Sequence, residues 1–246
     1  RPPNDTLSST AINPFVLDLN SNDVMYFAAG DTVLRSTNVS TAATWQAITN
    51  ATTGSFITAI SISNNPANRL YIGGGLGEVI KLDGANTGNP PAVDVSTGLP
   101  QGYVSCIYVD PANADNVIVV LSNYNIISLW RSTSGGGNWT NISGNLEENP
   151  DGSGNGPSCR WATSVNANGT MKYFVATSTG LYSTSTLNGN ATVWVQEGPN
   201  SIGNVVCTMV KGRDSDDFVA VATHGAGVYS SSNATPVEDG STLPES

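Results

Sequence analysis

The sequence predicts an all-β fold, a β-propeller of four-stranded antiparallel blades with about five blades in this chain. Three observations predict it. First, one pattern occurs five times at a spacing of roughly 45 to 55 residues, the interval of a propeller blade. The pattern is an apolar run, a short Asn/Asp/Pro turn, and a second apolar run ending in small residues. Second, charged residues make up 11% of the 246, against roughly 25% in an ordinary soluble domain. Abundant Gly, Ser, Thr and Asn then favour short strands and turns over long amphipathic helices. Third, runs such as VIVVL from Val117 are apolar at consecutive positions, and therefore on both faces of a strand, as a sheet sandwiched between two others requires.

Each blade can be read in order. FVLDLNSNDVMYFAAG from Phe15, with TVLRST and TWQAIT, makes the first blade over 12–50. ITAISISNNPANRLYIGGG from Ile57, with EVIKLD and AVDVS, makes the second over 56–97. VSCIYVDPANADNVIVVLS from Val104, with ISLWRST and NWTNIS, makes the third over 103–146. RWATSVNANGTMKYFVATS from Arg160, with GLYSTS and TVWVQ, makes the fourth over 158–197. VCTMVKGRDSDDFVAVATHG from Val206 and GVYSSS give three strands of a fifth over 204–232, with no fourth run. Turn residues such as Asp110-Pro111 and Gly135-Gly136-Gly137 sit at the junctions. Asp18 and Asp110 recur just after a first strand, where a carboxylate fixes a turn by bonding the backbone. Residues 1–11 form an N-terminal segment, and 233–246, without apolar periodicity, a linker tail.

The hairpin RSTSGGGNWTNISGNL, Arg131 to Leu146, resembles the Asp-box or bacterial-neuraminidase repeat, Ser-x-Asp-x-Gly-x-Thr-Trp. Ser132, Gly136 and Trp139 match, whereas Ser134 stands at the Asp position and Asn138 at the Thr. RSTNVSTAATW, ending at Trp45, and YSTSTLNGNATVW, ending at Trp194, look like longer, degenerate versions. The resemblance to Asp-box and sortilin-type propellers covers about residues 12 to 232. It implies that Trp45, Trp139 and Trp194 pack between blades, and it leaves activity open, because the same blade serves sialidases, xyloglucanases, sorting receptors and assembly factors. ATHGAGVYSS resembles the closing strands of such rings. An incomplete ring leaves sheet edges open. Either Thr6 to Thr10 supply the last strand of a five-bladed ring, or the chain is the C-terminal part of a ring of roughly six to eight blades, the arrangement favoured here. Further propeller blades or a partner chain would then cover the edges. The tail from Ser232 is similar to the spacer before the sorting domain of proteins exported by the type IX system of Bacteroidetes, which implies an extracellular or cell-surface location.

Charge and motifs exclude several chemistries. Nineteen acidic against nine basic residues give a net charge of −10, which repels a phosphate backbone and argues against nucleic acid as a partner. No apolar run of about 18 residues is present to span a membrane. Cys106, Cys159 and Cys207 read as buried thiols, with a Cys159–Cys207 bridge as the alternative. The six arginines are too scattered for a sialidase carboxylate clamp, and Arg35 and Arg131 occupy equivalent hairpin positions, a sign of a repeat-structural role. Asp214, Asp216 and Asp217 are the one suggestion of calcium, and read better as a solvated turn, so no cofactor is expected. His224 lies in a turn without a nucleophile motif. Catalytic residues are therefore not assigned. Blade geometry instead gathers Tyr103, Tyr124, Arg160, Trp161 and His224 on one loop face, an aromatic and Arg set suited to a glycan or protein ligand. The expectation is an extracellular binding or scaffold module. A glycoside hydrolase sharing carboxylates with other blades, or an interaction subunit of a surface assembly, is the alternative.

Overall fold

A computed structural model describes residues 13–167 and 169–232, arranged as five antiparallel sheets of consecutive strands. The first sheet is β1 (Phe15–Leu17), β2 (Met25–Ala29), β3 (Thr32–Ser36) and β4 (Gln46–Thr52). The second is β5 (Ile57–Ile62), β6 (Leu70–Gly74), β7 (Val79–Leu82) and β8 (Ala92–Asp94). The third is β9 (Val104–Asp110), β10 (Asn113–Leu121), β11 (Leu129–Ser132) and β12 (Thr140–Asn141). The fourth is β13 (Cys159–Ala167), β14 (Thr170–Thr177), β15 (Gly180–Thr184) and β16 (Val195–Glu197). The fifth holds β17 (Cys207–Arg213), β18 (Phe218–Thr223) and β19 (Val228–Ser231), with no fourth strand among the described residues. The segment Thr6 to Thr10 and the tail from 233 lie outside those residues.

The sheets stack face to face because their strands are apolar on both sides. Tyr71 of β6 packs towards the third sheet while its neighbour Ile72 packs towards the first. In β10, Val117, Val119 and Leu121 face the second sheet, whereas Ile118 and Val120 face the fourth. Phe174 and Ala176 of β14 turn to the fifth sheet and Val175 to the third. Each alternation fills two separate cores, and a fully buried Leu or Ile in them contributes roughly 1.5–3 kcal/mol. The leading strands meet in succession, β1 with β5, β5 with β9, β9 with β13 and β13 with β17, so the sheets radiate from a common side as blades.

The fan is open. Comparable packing does not join β17 to β1. On the outer flank of the first blade, Phe15, Phe27, Leu34 and Ala47 form one cross-strand row. Met209, Ala222 and Val228 form another on the outer flank of the fifth.

Two expectations need correction. Cys106, Cys159 and Cys207 are all free and buried, so the Cys159–Cys207 bridge is not formed. Cys159 belongs to the core between the third and fourth blades, Cys207 to that between the fourth and fifth. The outer strands β12 and β16 are also shorter than NWTNIS and TVWVQ predict. For Trp194 the reason is visible: its backbone N–H donates to Asn145 Oδ1 of the third blade at 2.7 Å, which draws it out of its own ladder. No helix among the described residues is long and apolar enough to cross a membrane.

Candidate functional site

In a four-stranded antiparallel blade, the turn after the second strand shares a face with the linker from the preceding blade. Here the two are stitched together four times. The N–H groups of Gly75, Ser122, Ser178 and His224 donate to the carbonyls of Phe56, Tyr103, Ser158 and Val206 at 3.2, 3.1, 2.9 and 2.8 Å. On this loop face Phe56, Leu76, Tyr103 and Tyr124 are 48%, 66%, 46% and 59% exposed. They are linked through the backbone. Tyr103 N–H donates to Asn123 Oδ1 at 2.5 Å. The turn at Gly77 packs on the linker so closely that a Cβ there would lie 2.7 Å from Pro100 O. Leu76 is held outward by its N–H donating to Glu78 Oε2 at 2.9 Å. The result is an apolar, aromatic ridge across the second and third blades, with a chemistry that stacks on a sugar ring or receives an apolar side chain.

Of the five residues singled out from sequence, Tyr103 and Tyr124 lie on this ridge, and His224 lies on the same face at the fifth blade. Arg160 is half-buried at the start of β13, its buried Nε without a partner among the described residues. Trp161 is also half-buried and contributes to the cores on both sides of the fourth blade, so it is a packing residue. Sequence reasoning missed Phe56 and Leu76. Their signal was an apolar residue inside an otherwise polar turn, GGGLGE, and one just ahead of a strand.

The opposite face carries the hairpins between third and fourth strands. Ser132 Oγ accepts the N–H groups of Ser134 and Gly136 at 3.1 and 2.9 Å, and Ser134 Oγ accepts that of Asn138 at 3.1 Å, so two hydroxyls organise the turn. Trp139 donates its Nε1–H to Val95 O of the second blade at 2.7 Å. Trp194 donates to Ile142 O of the third at 2.9 Å. Trp45 differs from the expected inter-blade anchor. It packs edge-on against Phe27 at 6.0 Å on the open flank of the first blade, its Nε1 without a partner among the described residues.

Two of the three Asp in the β17–β18 turn serve structure. Asp214 Oδ1 accepts Asn166 N–H at 2.9 Å, and Asp216 is held by Arg213 through two bonds of 2.7 Å. Among the described residues, no three His, Cys, Asp or Glu side chains gather to hold a metal ion. The carboxyls of Asp151, bonded by Ser153, and of Asp216, beside Arg213, both lie below the usual carboxylate range.

No protein-family model and no curated protein matches the chain. Solved structures do match. A GH74 enzyme of Niastella koreensis aligns at TM-score 0.63 and 18% identity, over 89% of this chain and 36% of its own. The Cps50 (Swd1) β-propeller domain of Myceliophteria thermophila aligns at 0.59 and 14%, over 89% of this chain and 64% of that one. The fold is a β-propeller. An extracellular domain of a one-component system from B. thetaiotaomicron aligns at 0.58 and 15%, over 85% of this chain and 26% of its own. The chain therefore spans about a quarter to two thirds of the length of these propeller proteins, and at such identities the likeness carries the fold alone.

Proposed function

We propose that this chain is a non-catalytic binding or scaffold module that works outside the cell and takes a glycan or protein ligand on its loop face. The observation that carries the reading is the ridge of Phe56, Leu76, Tyr103 and Tyr124, whose apolar surface is left in water on the face where the linkers converge. The extracellular domain among the similar structures supports the location. A glycan array read beside a polysaccharide hydrolysis screen tests it. Binding without turnover is expected, weakened about ten-fold in a Tyr103→Ala, Tyr124→Ala double variant, as for aromatic anchors at interfaces. Unchanged binding in that variant removes the loop face from the account. Turnover abolished by changing one carboxylate replaces the module with an enzyme, which is what the GH74 neighbours are named as.

The open flanks favour a second, compatible reading, an interaction subunit whose outer blades meet further propeller blades or a partner chain. On the outer flanks of the terminal blades Phe15, Leu17, Met209 and Val228 stand exposed, and such apolar surface is what a partner covers.

A further inference from the structure

We propose that a recess between the third and fourth blades, on the face opposite the ridge, binds a carboxylate-bearing sugar, a uronate, with the Arg131 guanidinium gripping the carboxylate. The recess has a volume of about 180 Å³ and is lined by Arg131, Thr133, Ser134, Asn138, Thr140, Ile142, Leu187 and Gly189. That is smaller than the roughly 300 Å³ at which sites for drug-sized ligands begin, so it takes one ring and not a chain of them.

The repeat supplies the argument. Arg35 and Arg131 hold the same place in their blades, each opposite the second strand on one side and the fourth on the other. Both project towards the following blade, since Val33 and Leu129, two residues before them, do so. Arg35 is tied across its junction: it donates through Nη1 to Ala85 O at 2.7 Å and to Gly88 O at 3.1 Å and through Nη2 to Gln46 Oε1 at 3.4 Å, while its buried Nε has no partner among the described residues. Arg131 faces the β15–β16 hairpin, which is one residue longer than the β7–β8 hairpin (185–194, ten residues, against 83–91, nine). Its guanidinium makes no hydrogen bond to any described residue, and neither do the side chains of Thr133, Asn138 and Thr140. A device that closes one junction is thus left open at another, with its donors unspent.

The lining fits one class of ligand. A guanidinium fork matches a carboxylate through two parallel bonds. Hydroxyls of Thr133 and Thr140 and the amide of Asn138 complement ring hydroxyls, while Ile142 and Leu187 offer an apolar floor for the C–H face of the ring. Ser134 keeps the wall neutral. An acidic peptide supplies the charge and lacks the hydroxyls.

Titration of the folded chain with D-glucuronate, followed by NMR or calorimetry, is the test, with glucose, inorganic phosphate and an aspartate-containing peptide as comparison probes. Saturable glucuronate binding is expected, about ten-fold or more weaker in Arg131→Gln, the loss of a charged hydrogen-bond pair. Ser134→Asp, which sets a like charge beside the ligand, is expected to weaken it comparably, and glucose to bind at least about ten-fold more weakly. Thermal unfolding of both variants reports that the fold persists. The proposal is overturned if glucuronate fails to saturate, if binding survives Arg131→Gln, or if glucose, phosphate or the peptide binds as well. The Tyr103→Ala, Tyr124→Ala variant retains glucuronate binding, so the failure of either site is distinguishable from that of the other.

Discussion

Thiols sealed between blades make the fold a shield. Burial pushes Cys106 up to about 12 from an ordinary 9.0, and raises Cys159 and Cys207 as well. The nucleophile is the thiolate, so the native chain is expected to resist a thiol reagent at pH 8 and to take up three labels only after denaturation, counted by intact mass. Labelling of folded Cys106 or Cys159 contradicts the packing. The sign of the pH effect follows: an acid whose folded pKa lies above its unfolded one stabilises the fold at pH values below the unfolded pKa. That contribution is lost as pH rises, so resistance to denaturant is expected to fall between pH 9 and about 12. Burial raises Tyr71 to about 12 in the same sense. At this scale the sequence spoke clearly where a side chain acts on its own neighbours. Asp18 and Asp110 each accept a backbone N–H two residues on, from Asn20 and Ala112, at 2.8 Å, the turn-fixing bond their recurrence predicts.

Between elements, the third and fourth blades are latched by a short 3-10 turn, Gly144–Leu146, that follows β12. Asn145 reaches across it: its side chain donates to Trp194 O at 2.9 Å and accepts Trp194 N–H at 2.7 Å. Gly144 makes the approach feasible. It has φ +52°, and a Cβ on it would lie 1.7 Å from Thr192 O. Gly144→Ala must push the hairpin of the fourth blade away, and a cost of about 2–3 kcal/mol is expected from strain and lost packing. Chemical denaturation measures it, and a change under about 0.5 kcal/mol, the range of a neutral surface substitution, refutes the latch. Strand order was legible because it rests on apolar runs, which need only a neighbour on each side. The functional surfaces were legible only in part. Tyr103 and Tyr124 declared themselves as aromatics near turns, but the exposure of Phe56 and Leu76 depends on how linkers lie on turns. The equivalence of Arg35 and Arg131 was visible in the repeat. That one is bonded across its junction and the other is not depends on a hairpin more than fifty residues further along, at Leu187 and Gly189.

For the whole molecule the decisive feature is the open fan. Every interior blade buries two apolar faces, and the terminal blades each bury one, leaving Phe15 63% and Val228 71% exposed. β19 also pairs with no further strand among the described residues, an edge that invites another chain. Water meets surface of the kind that drives the blades together elsewhere in the molecule. The chain on its own is therefore expected to associate with itself, one flank against another, in a concentration-dependent way seen by sedimentation velocity, and to bind a hydrophobic dye at neutral pH. Replacing Phe15 and Leu17 on one flank and Met209 and Val228 on the other with Lys is expected to suppress both. Thermal stability should hardly change, because these side chains are already in water and surface substitutions usually shift stability by under about 0.5 kcal/mol. A monodisperse monomer that ignores the dye would overturn the terminal flanks as a surface for self-association.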